Sequence, residues 1–277
     1  MNISTFDDDL LGLKDFSQRL DKFISTEQEF VEGSLVISLT SKFGSGKTTF
    51  LQMWKDSLES DEGDNEKPLV ISLNAWESDY YGDPLFAIIS GMVECIEKKG
   101  NSADTLVDAA KDVGAFATAI GSQVVAKFTG IDPVAAGETA KKKKAARKAS
   151  TQVAPDIFSI YQGRRDAMKS LKDAIQEFVS VSTSQVLFLV DELDRCRPDY
   201  AISYLETIKH IFDVKGAVFL LAADREHLEK SAKTAFGLEL DFDEYYRRFV
   251  HREVPLPPIV DSGYEKLVLR YVQYYLE

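Results

Sequence analysis

The 277-residue sequence predicts an α/β fold, a mostly parallel sheet covered by helices on both faces, with a helical or linker insertion. Three observations carry this prediction. Short apolar runs alternate with helix-period segments along most of the chain. One of those runs passes straight into a glycine-rich turn that opens a helix, and another ends in two adjacent carboxylates. With 44% hydrophobic residues the chain can bury a sizeable core, and single α/β domains commonly reach this length.

From Leu10 to Phe30 the apolar positions Leu13, Phe16, Leu20, Phe23 and Ile24 recur at helical spacing, so an amphipathic helix precedes the core. Ser34 to Leu39 reads as a short buried strand. It runs into Ser41-Lys42-Phe43-Gly44-Ser45-Gly46-Lys47-Thr48, followed by a helical stretch through Leu51, Met53, Trp54 and Leu58. The acidic stretch Glu59 to Lys67 reads as a surface loop, and Leu69 to Leu73 as a second strand. Asp83 and Pro84 form an N-cap and first-turn pair for a helix reaching Lys99.

Residues Gly100 to Ala154 change character, first rich in Ala and Gly, then basic from Ala140 to Ala149, and this segment is expected to be an insertion. The core resumes with a helix at Phe158 to Val181, a strand at Val186 to Val190, a helix at Tyr200 to Phe212 and a strand at Ala217 to Ala222. No internal repeat is present. Residues 1–258 are therefore expected to form one domain, and 259–277 a carboxyl-terminal helix or the start of a further helical region. The helical spacing of Leu267, Tyr271, Tyr274 and Tyr275 leaves an apolar face to be completed by a partner or by further sequence.

A net charge of −12, from 33 basic and 45 acidic residues, opposes a general polyanion-binding surface. Cys95 and Cys196 lack the spacing of a zinc site and are too few for a disulfide framework, which points to a reducing compartment. The first residues carry Asp7, Asp8 and Asp9 and no basic or apolar leader, so a cytoplasmic location is expected.

A strand that turns through glycines into a helix aims several backbone N–H groups at one point, where the positive helix end favours an anion. A triphosphate suits that point. Phe43, Gly44, Ser45, Gly46, Lys47, Thr48 and Thr49 are the candidate nucleotide-binding residues, with Lys47 supplying charge to the β and γ phosphates and Thr48 a hydroxyl ligand for Mg2+. The usual pattern has Gly where this chain has Ser41, so the turn there must accommodate a β-carbon. Val186 to Val190 is a fully apolar strand ending in Asp191 and Glu192, at the edge where open α/β sheets bind ligands. Placed beside the loop-bearing strand, it would bring Asp191 to the metal and Glu192 to the attacking water. Asp224, after the next apolar strand, has two readings, a sensor of the γ phosphate and an N-cap for the following helix.

Leu189-Val190-Asp191-Glu192-Leu193-Asp194-Arg195-Cys196, Asn74-Ala75-Trp76 followed by Asp83-Pro84-Leu85, Ala223 to Leu228, and Val254-Pro255-Leu256-Pro257 together resemble the KAP family of P-loop ATPases. The family is named for a neuronal kinase-interacting membrane protein and a plasmid-encoded phage-exclusion protein. The resemblance implies a P-loop NTPase core of the additional-strand, catalytic-Glu class, strand order 5-1-4-3-2, with ATP as nucleotide. At family level it also implies a nucleotide-driven change of conformation or assembly and a role in bacterial anti-phage defence. Many relatives carry two transmembrane helices where this chain has its insertion. The longest charge-free stretch here, Val113 to Ala126, falls short of the roughly 20 residues that span a bilayer, so membrane spanning is not expected.

Arg247 and Arg248 follow the acidic, aromatic helix Asp241 to Tyr246; related ATPases supply an arginine to a neighbouring subunit from such a region, and a salt-bridged surface pair is the plain alternative. A homo-oligomer or an effector protein are the expected partners. The basic run Lys141 to Lys148 admits nucleic acid or anionic lipid, but without interleaved aromatics it reads first as a solvated linker. His210, His227 and His251 do not share metal-ligand spacing.

Overall fold

Strand identity follows from the apolar runs. In the computed structural model, which describes residues 5–60, 68–98, 102–119, 157–181, 185–259 and 261–276, each run lies in one sheet. Its strands are β1 (Leu35–Thr40), β2 (Leu69–Asn74), β3 (Val186–Asp191), β4 (Ala217–Ala223) and β5 (Arg252–Pro255). All pairings are parallel and the order is β2-β3-β4-β1-β5, the expected 5-1-4-3-2 read from the other edge.

The chain divides into two compact units. The first comprises Met1–Glu77 and Phe178–Glu277 and holds the whole sheet. Its helices are α1 (Lys14–Gln28), α2 (Lys47–Ser60), α7 (Pro198–Ile211), α8 (Arg225–Phe236), the short α9 (Phe242–Tyr246) and α10 (Asp261–Leu276). A single turn, α3 (Ala75–Asp79), begins directly at the end of β2. The second unit, Ser78–Glu177, contains α4 (Pro84–Lys98), α5 (Asp104–Ala119) and most of α6 (Ile157–Val181). In it α4 buries Ile88, Ile89, Met92 and Ile96, and the Asp83 carboxylate accepts the Leu85 N–H at 2.9 Å as its cap. The Gly100 to Ala154 stretch thus contributes a regular helix, α5. Its basic run lies outside the described residues.

Period-2 alternation in buried strands sends successive side chains to opposite faces. On one face of the first unit, Leu187, Leu189, Val218, Leu220, Leu35, Ile37 and Leu39 pack with Phe16, Leu20 and Ile24 of α1 and Phe50, Met53 and Trp54 of α2. Phe16 and Phe50 lie 5.1 Å apart. Phe188 and Phe219, opposite one another in register, stack at 4.3 Å with Phe212 set edge-on. Such aromatic pairs contribute about 0.5–1.5 kcal/mol each beyond their buried area.

The local reading that set the acidic strand beside the loop-bearing one is corrected, in keeping with the order the resemblance implied: β4 lies between β1 and β3 and pairs with both along its length. β4 is the most completely buried strand, with Ala217 to Ala223 all inaccessible, and such a strand needs neighbours on both sides. The carboxyl ends are nonetheless flush: Asn74 pairs with Asp191, Asp191 with Ala222, and Ala223 with Thr40. The side chains that follow each strand therefore gather at one sheet edge.

Candidate functional site

Gly44 and Gly46 adopt φ values of +76° and +92°, a region that a side chain makes costly. They bend the chain after β1 into a cradle whose far side is the first turn of α2, and the first N–H groups of a helix have no partner within it. Ser41 does not need the glycine of the usual pattern, since Glu192 is the one non-glycine residue with positive φ among those described. Its carbonyl accepts Lys47 Nζ at 2.9 Å, and the Lys42 carbonyl does so at 3.3 Å. Lys47 is 8% exposed, so its charge is held over the loop. Ser45 Oγ is buried and has no hydrogen-bond partner among the described residues.

The cradle meets the end of β3 in a cavity of about 270 Å³, lined by Phe43, Gly44, Gly46, Lys47, Thr48 and Thr49 from the loop side and by Asp191, Glu192, Asp194 and Arg195 from the other. Helix α2 crosses the sheet face, which is why a residue following β1 reaches the end of β3 with β4 between them. The Thr48 side chain and the Asp191 carboxylate face one another across this cavity. Burial pushes the Asp191 carboxyl above its ordinary 3.8, and the bonds from Thr48 and the Glu192 N–H oppose that rise. A partly desolvated carboxylate facing a hydroxyl is a donor pair suited to Mg2+. Among the described residues no cluster of three or more His, Cys, Asp and Glu side chains forms a metal site, so phosphate oxygens and water would complete the coordination.

Glu192 sits in the left-handed region at φ +61°. For a non-glycine residue this costs about 1 kcal/mol, and such strain gathers at functional positions. The chain then enters a 3-10 turn, Leu193–Arg195, which carries Arg195 back over Glu192. Arg195 Nη2 lies 3.0 Å from Glu192 Oε1, while Asn74 Nδ2 donates to Glu192 Oε2 at 3.2 Å. Asn74 Oδ1 in turn accepts the N–H groups of Trp76 and Glu77, fixing α3 to the site. The Arg195 guanidinium also lies over the Phe43 ring at 5.0 Å and the Trp76 ring at 5.6 Å. At exposed positions these contacts contribute about 0.5–1 kcal/mol each.

Asp224 takes the N-cap position expected of it and also holds the loop, but it does not line the cavity. Oδ1 accepts the Glu226 N–H at 3.0 Å as the cap of α8, and Oδ2 accepts the Phe43 N–H of the loop at 3.2 Å. Its own N–H donates to Asp194 Oδ2 at 2.9 Å, which ties the 3-10 turn to the end of β4. Arg247 and Arg248 stand at the end of α9 and do not line the cavity. Arg248 pairs with Glu244 at 2.9 Å, whereas Arg247 is exposed and has no ion pair among the described residues. His251 Nδ1 accepts the Val36 N–H at 3.0 Å and serves the sheet. In the sequence Asn74 and Arg195 stand within the family motifs without a role: Asn74 ends the strand that pairs with the acidic one, and Arg195 is three residues past Glu192.

Two solved structures of the Aeropyrum pernix ORC2 protein follow a similar course, one of its ADPNP-ADP complexes and one of its ADP form. The first is 15% identical with a TM-score of 0.43, covering 89% of this chain and 48% of that one. The second is 14% identical with a TM-score of 0.41, covering 88% and 48%. The chain thus spans about half the length of the solved structures it matches. Among curated proteins none matches it. The profile of the KAP family P-loop domain, by contrast, matches residues 13–276, spanning the loop, the acidic turn and every strand of the sheet, and the chain belongs to the KAP family of P-loop NTPases.

Proposed function

We propose that this chain binds ATP with Mg2+ at the carboxyl edge of its sheet and hydrolyses the terminal phosphate, coupling nucleotide state to a change of conformation or assembly. The supporting observation is the meeting of Lys47, Thr48, Asp191 and Glu192 around one cavity, from two strands that are not neighbours. In this reading Phe43 to Thr49 wrap the phosphates, and Lys47 exchanges the Ser41 and Lys42 carbonyls for β and γ oxygens. Thr48 and Asp191 hold Mg2+, which supplies charge neutralisation on the phosphates. Glu192 orients or deprotonates the attacking water, and Asp224 senses the γ phosphate through its hold on the loop. Of the two arginines after α9, Arg247, which has no ion pair among the described residues, would act on a neighbouring copy, with Arg248 in support. The anti-phage role expected from the family resemblance has no separate support in the site.

A second reading, a nucleotide-gated binding module with little turnover, is favoured by the two ties on Glu192. Calorimetry with ATP and Mg2+, paired with phosphate-release kinetics, separates the two. Binding weakened at least about a hundredfold by Lys47→Ala, with measurable phosphate release by the unaltered chain, is the expected result. Unchanged affinity in Lys47→Ala removes the binding site, and tight binding without release leaves the module.

A further inference from the structure

Arg195 is charged, lines the phosphate cavity and is used by no step above. Its guanidinium pairs with Glu192 Oε1 and lies over two rings, Phe43 on the loop and Trp76 on α3. Neither ring is there as core, since Phe43 is 65% and Trp76 51% exposed. The ring contacts are of the weak, solvent-exposed kind, and the ion pair is one-sided, with the Arg195 side chain 39% exposed against 16% for Glu192. A partly exposed guanidinium with no other side-chain partner among the described residues, beside the phosphate cradle, has a second partner to turn to, because a planar fork of N–H donors fits phosphate oxygens two at a time.

We infer that Arg195 is this chain's own reader of the terminal phosphate: it pairs with Glu192 when that phosphate is absent and moves onto it when a nucleoside triphosphate is bound, freeing Glu192 Oε1. The inference rests on the nucleotide reading above. Two anions then compete for one cation, and only the triphosphate supplies the second anion. A diphosphate leaves Arg195 on Glu192. The 3-10 turn permits the exchange, because its backbone is pinned independently through Asp194 to the Asp224 N–H, so the side chain can move while the turn stays. Trp76 reports the exchange, as it loses the guanidinium that lies over it.

The test compares a non-hydrolysable β,γ-imido ATP analogue with ADP, both with Mg2+, by calorimetry and by tryptophan emission. Trp54 is buried and hydrogen-bonded to Asp21, so the response to nucleotide comes from Trp76, and Trp76→Phe should remove it. In the unaltered chain the analogue should change the emission and ADP should not. Arg195→Ala should weaken the analogue about tenfold while leaving ADP affinity within about twofold, and should abolish the analogue-specific emission change. Arg195→Lys, which keeps the charge without the fork, should fall between. A side chain that merely braced Glu192 would shift both nucleotides together or neither. An unchanged analogue-to-ADP ratio in Arg195→Ala overturns the inference, as does an equal emission response to the two nucleotides in the unaltered chain. The second result needs no variant to fold. Failure of the unaltered chain to bind either nucleotide would instead remove the nucleotide reading itself.

Discussion

The ends of β1 and β3 meet at one cavity but are built on opposite principles. After β1 the chain makes its left-handed bends with Gly44 and Gly46, positions without side chains, where the loop backbone lines the cavity. After β3 it makes the same bend with Glu192, at about 1 kcal/mol of strain that a glycine would have avoided. A side chain kept where glycine is favoured is a side chain in use. The loop is therefore expected to govern affinity and the acidic turn to govern rate.

Glu192→Gln gives the largest effect on this division. It should reduce phosphate release at least about a hundredfold while ATP affinity stays within about threefold, the pattern of a group that acts on water rather than on phosphate. Equal losses in rate and affinity would erase the distinction between the two ends. Gly46→Ala probes the other end. A β-carbon there meets only Leu11 Cδ1, at 4.0 Å, so space is available and the strain is purely of the backbone, about 1–2 kcal/mol. ATP affinity should fall about tenfold, and the rate at saturating ATP should change little; a rate loss at saturation would show that the loop also positions the water.

The loop side of this comparison was legible in sequence because it is local: apolar run, glycines, Lys47 and helix follow one another without a break. The acidic turn was legible only in part. Asp191 and Glu192 announce themselves at the end of β3, but what restrains Glu192 comes from Asn74, more than a hundred positions earlier, and from an i+3 return that depends on the 3-10 turn. α3 escaped notice because a single turn has no periodicity to read. β5 escaped for a different reason: its exposed edge pattern in Arg252–Pro255 lacks the apolar alternation of a strand, and only its pairing to β1 reveals it. Local pattern also could not order the strands: the order came from the family resemblance, and the pattern alone set the acidic strand directly beside β1.

Asp191 sharpens the comparison from the stability side. Its carboxyl is raised mainly by burial, so in the ligand-free fold it is a group held ionised against its preference. For an acid with a raised folded pKa, the penalty is absent below the unfolded value near 3.8 and complete above the folded one. Asp191→Asn should therefore raise the melting temperature of the nucleotide-free protein at neutral pH by a few degrees, the scale of about 1 kcal/mol in a chain of this size. The gap between the two proteins should shrink as pH is lowered toward 3.8. The same substitution should weaken magnesium-dependent ATP binding about tenfold, as a lost metal partner would. A variant that melts lower at neutral pH would mean that the Thr48 and Glu192 N–H bonds outweigh burial, and that this carboxylate is not poised for a cation.

The smallest effect separates the two ends through the sheet that carries them. Among the described residues β5 pairs with β1 alone, and His251, just before it, accepts the Val36 N–H of β1 through Nδ1. That bond requires the neutral ring. Burial, together with Lys209 and Arg252, lowers the His251 pKa from the ordinary 6.5, against the opposing pull of Asp213. With a lowered folded pKa the unfolded chain takes up the proton first, so the contribution is complete above about 6.5 and is lost as pH falls toward the folded value. The loss should be on the order of 1 kcal/mol, one hydrogen bond of this kind. His251→Asn places an amide oxygen where Nδ1 stands and does not titrate, so its stability should be flat across that window. Hydrogen exchange locates the effect: on acidification the amides of β1 and β5 should lose protection before those of β3, because β4 insulates β3 from the β1 edge. Simultaneous loss on β1 and β3 would show that the two ends of the site are carried by one cooperative sheet, and that their difference lies in side chains alone.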